Sequence, residues 1–590
     1  MEYLIVAQAY DDLERATARL ALIDRLAQLF QETPVPLLPT VSLLCQGKIA
    51  PDFAGVEIGV AERMAARSVA EATGLTSEQV LARAREVGDL GLATEALLAS
   101  DPVAAARPAT LEVGMVFDTF HEIAASAGQG SQGRKLSLFL ELLKRATPLE
   151  ARYLVRTCTG SLRLGIGTAT ILDALATVFV DGRRSRPVLE RAYNVCSDLG
   201  LVAATLAAGG LEAVAGIHVM PGNPVRPMLA QRLSSPAEVL AKLGGSCSAE
   251  YKYDGIRVQA HRTADGRLEL FTRRLERISP QFPDVVELLG AGLGPRAAIL
   301  EGEVVAADPD SGELRPFQEV MFRRRVHGIA EAVRDVPVSM FCFDLLYADG
   351  EDLTRLPYLE RRARLAQAVT LSPRVRLTTA EQISGDDVET LELTFQQAVA
   401  EGCEGLICKS LAPAASYQAG ARGWQWIKLK RDYRTELSDT LDLVVVGALS
   451  GRGRRAGIYG ALLLACYDPE ADVFQTVCKC GTGFSDAELA ALPAKLAPLA
   501  RTEPPARVDA RRHADVWFEP GMVVEVVGAE LTISPTHTAG WGRVQDDAGL
   551  ALRFPRFTGR YRDDKSPDDA TTVDEVVGMF RAARRAPAGS

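Results

Sequence analysis

Residues 250–257 read Glu250-Tyr251-Lys252-Tyr253-Asp254-Gly255-Ile256-Arg257 and run directly into the alternating stretch IRVQAHR. The pattern places a lysine between two aromatic residues at the mouth of a strand. An amine attacks only as the free base, so the flanking rings and Arg257 are expected to help strip its proton and turn Lys252 into a nucleophile. Glu250 and Asp254 act in the opposite sense unless they face a ligand or metal. Lysine usage points the same way. Of 66 basic residues 11 are Lys and 55 Arg, and Lys252, Lys409, Lys428, Lys430 and Lys565 fall within short polar or aromatic clusters. Arginine stays protonated in proteins, so a chain that prefers it keeps lysine where an amine or a compact ammonium is needed.

Five further clusters follow: Thr272-Arg273-Arg274-Leu275-Glu276, Glu301-Gly302-Glu303, Phe341-Cys342-Phe343-Asp344, Glu404-Gly405-Leu406-Ile407-Cys408-Lys409 and Trp426-Ile427-Lys428-Leu429-Lys430. Glu303 sits beside Val304 and Val305 on an apolar strand, where a carboxylate is costly unless paired or liganded. Glu303 and Glu404 are the carboxylates expected to meet a metal or a ribose. Lys428 and Lys430 alternate with Ile427 and Leu429, so both ammoniums occupy one face of a strand and call for an anion. Phe343 shares a face with Phe341 and suits a core as well as a site. Trp424 and Trp426 flank this cluster, and packing explains them as readily as ligand contact does.

In this order, over about 180 residues, the motifs resemble those of the covalent nucleotidyltransferases, the superfamily of DNA ligases, RNA ligases and capping enzymes. The resemblance implies that Lys252 is the catalytic residue that takes AMP from ATP. It further implies nucleotide contacts by Glu250, Arg257, Arg273, Glu303, Phe343, Arg422, Lys428 and Lys430. Phe343 would stack on adenine, Lys428 would meet the α-phosphate, and Arg422 would join the triphosphate clamp. Mg2+ is expected at Glu303 and Glu404. One departure stands out, because the usual Ser-Arg-Asn is here Thr272-Arg273-Arg274, which adds a charge and leaves the role of Arg274 open.

The outer segments decide among the members of that superfamily. From residue 1 to about 215 the apolar spacing is helical. The segments GRKLSLFLELLKRATPLEARYLVR and LRLGIGTATILDALA place Arg134, Lys135 and Arg163 at a helix start and in a glycine-containing connector, which suits phosphate groups. The Pro-rich MPGNPVRPMLAQ at 220–231 breaks the pattern. Beyond Asp439 about five short strands with turn signals suggest a small antiparallel barrel. Its tail carries Leu552-Arg553-Phe554-Pro555-Arg556-Phe557 and Arg562-Asp563-Asp564-Lys565. These segments resemble the ATP-dependent DNA ligases. The fold class implied is multidomain: an all-α DNA-binding domain (1–217), an α/β nucleotidyltransferase or adenylation domain (218–435) and a β-barrel OB-fold domain (436–590). Arg556 and the Arg452-Gly453-Arg454-Arg455 turn are then expected on DNA, and Arg562 and Lys565 orient pyrophosphate. Enclosing a duplex would require the linkers near 220 and 436 to flex.

Composition is consistent with this. A chain of 590 residues with 47% hydrophobic and 24% charged residues is that of several folded domains, which excludes disorder and coiled coil. Ten scattered cysteines without a CxxC pair disfavour a disulfide framework or a four-cysteine zinc site. MEYLIVAQAYDDLER does not read as a signal peptide, and the Ala- and Gly-rich stretch from Leu201 to Met220 carries Glu212, so no membrane partner and a cytoplasmic location are expected. A net charge of -10 does not exclude DNA, since binding depends on local basic surface. The expected partner is nicked double-stranded DNA, met by a monomer, with nothing to indicate a sliding clamp. Replication, repair and recombination all remain open as roles. Three rivals remain: an RNA-directed relative, disfavoured by the helical segment; a non-catalytic scaffold, disfavoured by the complete lysine and carboxylate set; and an NAD-dependent ligase, whose cysteine cluster is missing.

Overall fold

Three- and four-residue apolar spacing produces helices from Tyr3–Arg15 to Leu199–Ala215, and among the described residues this stretch contains no strand. In the computed structural model, residues 1–180, 182–308, 313–315, 317–325, 327–430, 440–451, 458–528 and 530–585 are described. The helix Pro148–Cys158 shows why the segments start where they do. Pro148 occupies its first position, and Thr147 and Glu150 cap each other's backbone amides reciprocally. The same helix carries Arg152 and Arg156 to a shared carboxylate, Glu14. Arg152 also reaches Asp11 and Glu95, each at 3.2 Å, so two buried cations meet three acids.

The middle of the chain forms two sheets. One has the order β1 (Leu229–Arg232), β11 (Arg422–Lys430), β10 (Gly405–Ser410), β2 (Cys247–Lys252) and β9 (Ala380–Ile383). The other runs β4 (Leu268–Thr272), β3 (Ile256–Arg262), β5 (Ala298–Ala306), β6 (Val338–Ala348) and β7 (Glu351–Asp352), with β8 (Val375–Leu377) beside β6. Alternation sorts each strand of the first sheet. Cys247, Ala249 and Tyr251 of β2, Leu406 and Cys408 of β10, and Ile427 and Leu429 of β11 all enter one apolar cluster. The intervening residues are left to the opposite face.

The Pro-rich segment is not a loose tether. Val225 donates its amide to Gln259 Oε1 at 2.9 Å and accepts from Gln259 Nε2 at 2.6 Å. Gly222 N donates to His261 Nδ1, and Met228 is held through its carbonyl by Arg257 and through its amide by Tyr417. Val195 of the helical region packs with Val219, Val225, Met228, Ile299 and Trp426 in one buried cluster. In this conformation the buried amides and carbonyls of the crossing near 220 find side-chain partners on β3 and at Tyr417. The linker expected near 436 and the Arg452–Arg455 turn lie outside the described residues.

Contacts divide the chain into two units, Met1–Val80 with Thr94–Arg431 and Leu81–Ala93 with the chain from Asp432. The helical stretch and both middle sheets thus fall mainly in the first. In the second, Leu441–Ser450, Tyr459–Asp468 and Val473–Cys480 form an antiparallel meander, and Val523–Val527 pairs with both Leu441–Ser450 and Arg556–Tyr561. Ten strands are present there among the described residues, where about five were expected. The additional ones, such as Ala500–Arg501 and Val516–Phe518, are too short for alternation to reveal.

Candidate active site

The polar residues left over by alternation converge on a cavity of about 720 Å³, a size suited to a nucleotide. Register explains how. Gly405 pairs with Lys252 on one side and Lys430 on the other, so the two lysines flank the strand that Glu404 precedes. The Glu404 carboxylate consequently lies 2.7 Å from Lys252 Nζ and also contacts Lys430. Burial works against its ionisation, but Lys252 and Lys430 override this and hold it well below the usual carboxylate range. Asp254 faces Glu404, and burial with that neighbour pushes it up. Gly405 has φ 140°, and a Cβ there would run into the Leu429 carbonyl. Gly255 is equally constrained, by the Val304 carbonyl.

The tyrosines beside Lys252 border the cavity and also enter the core. Tyr251 and Tyr253 turn to the apolar cluster, where Tyr253 stacks on Phe341 with centroids 3.9 Å apart. Alternation accounts for Tyr251, which neighbours Lys252 on β2, whereas Tyr253 follows the end of that strand. Arg257 is likewise engaged elsewhere. It donates to both oxygens of Glu301, at 2.9 and 3.1 Å, and lies over Phe343 and Trp426. Its Nε is buried and has no partner among the described residues.

At the other end of the cavity, Glu250 is buried and fully engaged. Lys409 Nζ lies 2.9 Å away, Thr378 donates at 3.0 Å, and Tyr358 donates as well. Lys409 is itself buried among the rings of Phe343, Tyr358 and Trp426, and desolvation lowers its pKa. Phe343 lines the cavity and also packs against the buried cluster of Met228, Ile299 and Trp426, with Trp426 edge-on to it at 6.2 Å. Trp424 stands outside, under the Lys242 ammonium. Lys428 and Arg422 line the cavity with Arg273. Burial, then Lys430, Lys252 and the two arginines, push Lys428 down, which is the electrostatics of a site built for anions.

Glu303 also faces the cavity, opposite Arg257 in the β3–β5 register, and burial pushes its carboxyl up to about 7. No group of three His, Cys, Asp or Glu side chains among the described residues is arranged to hold a metal. The carboxylates present suit a divalent ion that takes most of its ligands from phosphate and water.

Other expected residues lie apart from the cavity. Arg134 and Arg163 are exposed on the helical region, while Lys135 donates to the Ile58 carbonyl at 3.3 Å. Arg556 is exposed on its strand in the second unit. Arg562 and Lys565 both hold Asp442 at 2.7 Å, so each cation already has a carboxylate partner. The sequence reading gave no role to Glu301, Lys409, Gln259 or Tyr417. Two of them carried a signal, Glu301 in its two-residue spacing from Glu303 and Lys409 in its place among the few lysines. Tyr358 and Thr378 reach Glu250 from more than a hundred residues away.

Residues 227–430 match the family described as ATP dependent DNA ligase domain, 2–176 the DNA ligase N terminus, and 455–565 the ATP dependent DNA ligase C terminal region. The chain is 49% identical to a protein of Aquifex aeolicus named probable DNA ligase, over 99% of each chain. It is 48% identical to DNA ligase 2 of Thermofilum pendens, over 99% of this chain and 98% of that one. The solved structure titled Pmar-Lig_Pre. shares the fold with a TM-score of 0.56 at 16% identity, over 94% of this chain and 99% of the other. With three family matches in succession and relatives aligned from end to end, the chain belongs to the ATP-dependent DNA ligase family, whose members seal nicks through an adenylate intermediate.

Proposed function

We propose that this chain seals nicked duplex DNA with ATP, and that Lys252 carries the AMP. The observation that supports this reading most strongly is the register of Lys252, Gly405 and Lys430 around the Glu404 carboxylate at the end of a cation-walled cavity. Glu404 aims the Lys252 side chain along the cavity, and Lys428, Lys430, Arg422 and Arg273 receive the phosphates. Phe343 provides the face on which adenine stacks, and Arg257 Nε is the free donor for the ribose.

The deprotonated Lys252 nitrogen attacks the α-phosphorus, a P–N bond forms, and the bond to the bridging oxygen breaks as pyrophosphate leaves. A 5′-phosphate oxygen of the nick then attacks the same phosphorus, the P–N bond breaks and Lys252 regains a proton. Finally the 3′-hydroxyl attacks the nick phosphate and AMP departs. Each transfer replaces one difficult condensation with easier steps. Mg2+, held by Glu303 and Glu404 with waters, neutralises phosphate charge when bound.

On the same reading the chain is a cytoplasmic monomer of three parts, an all-α DNA-binding domain (1–217), an adenylation domain (218–435) and an OB-fold domain (436–590). Arg134, Lys135, Arg163 and Arg556 contact DNA. Arg562 and Lys565 leave Asp442 to orient pyrophosphate during adenylation.

The test is sealing of a 5′-labelled nick in duplex DNA with ATP and magnesium, compared with NAD and with a nicked RNA duplex. Joined DNA product with ATP alone is the expected result. Sealing that requires NAD, or that prefers RNA, contradicts the reading.

A further inference from the structure

In the second unit one carboxylate holds two cations at a single oxygen. Arg562 Nη1 and Lys565 Nζ each donate to Asp442 Oδ2 at 2.7 Å, while Asp442 Oδ1 is buried and has no partner among the described residues. An arginine held by a carboxylate for structure alone favours two parallel bonds. Arg562 makes that contact with Asp564 instead, through Nε and Nη2 at 2.9 and 2.8 Å. Two cations converging on one oxygen is the arrangement that a phosphoryl oxygen accepts.

The two sides of the contact differ in freedom. Asp442 is fixed, because its amide donates to Thr571 Oγ1 and its carbonyl accepts from the Thr571 amide, both at 2.9 Å. The cations end long side chains that still reach water, Lys565 at 31% and Arg562 at 15% exposure. Glu525 stands opposite Asp442 in the pairing of Leu441–Ser450 with Val523–Val527, and like charges so placed repel. Glu525 keeps Thr558 at 2.9 Å and Arg560 at 3.6 Å when Arg562, at 4.0 Å, moves away. Asp442 keeps no cation once both have left, so its bare charge draws them back when a competing anion departs.

We infer that Asp442 is a latch on the adenylation step: its Oδ2 occupies the place between Arg562 and Lys565 that a phosphate oxygen takes, so ATP and pyrophosphate compete with it for the two cations. This rests on the ligase reading above and on the role proposed there for Arg562 and Lys565. Asp442 is a positioning residue, and it acts only where a triphosphate or pyrophosphate is handled. A chain that is mostly latched needs more ATP, by the inverse of its released fraction.

The experiment uses the full chain. Single-turnover adenylation is followed over an ATP series with magnesium, its reversal over a series of inorganic pyrophosphate, and sealing on a nick that already carries AMP. Asp442→Asn, and Asp442→Ser as a second route to a neutral side chain, should reach half-maximal adenylation at roughly tenfold less ATP and reversal at roughly tenfold less pyrophosphate, with sealing of the adenylylated nick unchanged. Glu525→Gln, the charge control, should stay within about twofold of the parent throughout. Adding Arg562→Gln and Lys565→Met to Asp442→Asn should abolish the gain. An ATP requirement that is unchanged or raised in the Asp442 variants overturns the assignment. So does a loss shared equally by adenylation and sealing, which marks a merely structural pair. A parent that acquires no AMP from ATP contradicts the ligase reading instead.

Discussion

One residue with no chemistry of its own decides whether Lys252 is placed correctly. Gly405 sits between Lys252 and Lys430 at φ 140°, against the Leu429 carbonyl, so any Cβ must push the strands apart. Gly405→Ala is expected to slow AMP transfer to the protein by about a hundredfold or more, because displacement of a nucleophile by about 1 Å costs that much. Single-turnover labelling with ATP measures it. Lys409 acts through Glu250. Removing one member of a buried pair costs about 3–5 kcal/mol, so Lys409→Met should lower the thermal midpoint clearly. The double variant Glu250→Gln with Lys409→Met should recover most of that stability but not the affinity for ATP. Equal ATP affinity in the double variant and the parent would show that the pair shapes only the core.

At the scale of the element, β3 is a strand read by alternation. Arg257, Gln259 and His261 share a face, and each binds the chain segment 222–228. Burial pushes the His261 imidazole down to about 3, so the folded chain keeps it neutral while the unfolded chain takes up a proton below about 6.5. The unfolded state therefore binds more protons across that window, and stability falls as pH drops from about 6.5 towards 3, by up to about 1.4 kcal/mol per unit. Denaturant unfolding at stepwise pH should show this slope in the parent and a flatter one in His261→Asn. Gln259→Leu removes the donor and acceptor that hold Val225 and should expose residues 220–228 to proteases. Cleavage no faster than in the parent would mean that the apolar cluster around Val195 and Met228 suffices to pin the crossing.

For the whole molecule, the sequence was legible wherever periodicity and chemistry coincided. Period two placed Lys428 and Lys430 on one face of their strand. The helical spacing of the first 215 residues and the strand-rich C-terminal region were equally readable. Side-chain partners far apart in sequence were not. Nothing near Glu250 announces Tyr358 or Thr378, and nothing in the motif around Arg257 announces that Tyr417 and Gln259 share its partner Glu301. The Pro-rich segment marked the break in helix, but proline content does not reveal the buried amide partners found there. In the second unit, strands of two or three residues carry too few positions for a period to register. What joins these scales is a single covalent event at Lys252, and it is directly measurable. Incubation with ATP and magnesium followed by intact-mass and peptide mass spectrometry should show one AMP per chain, on the peptide containing Lys252, absent in Lys252→Arg. An adduct that survives in that variant, or that maps to another residue, contradicts the account.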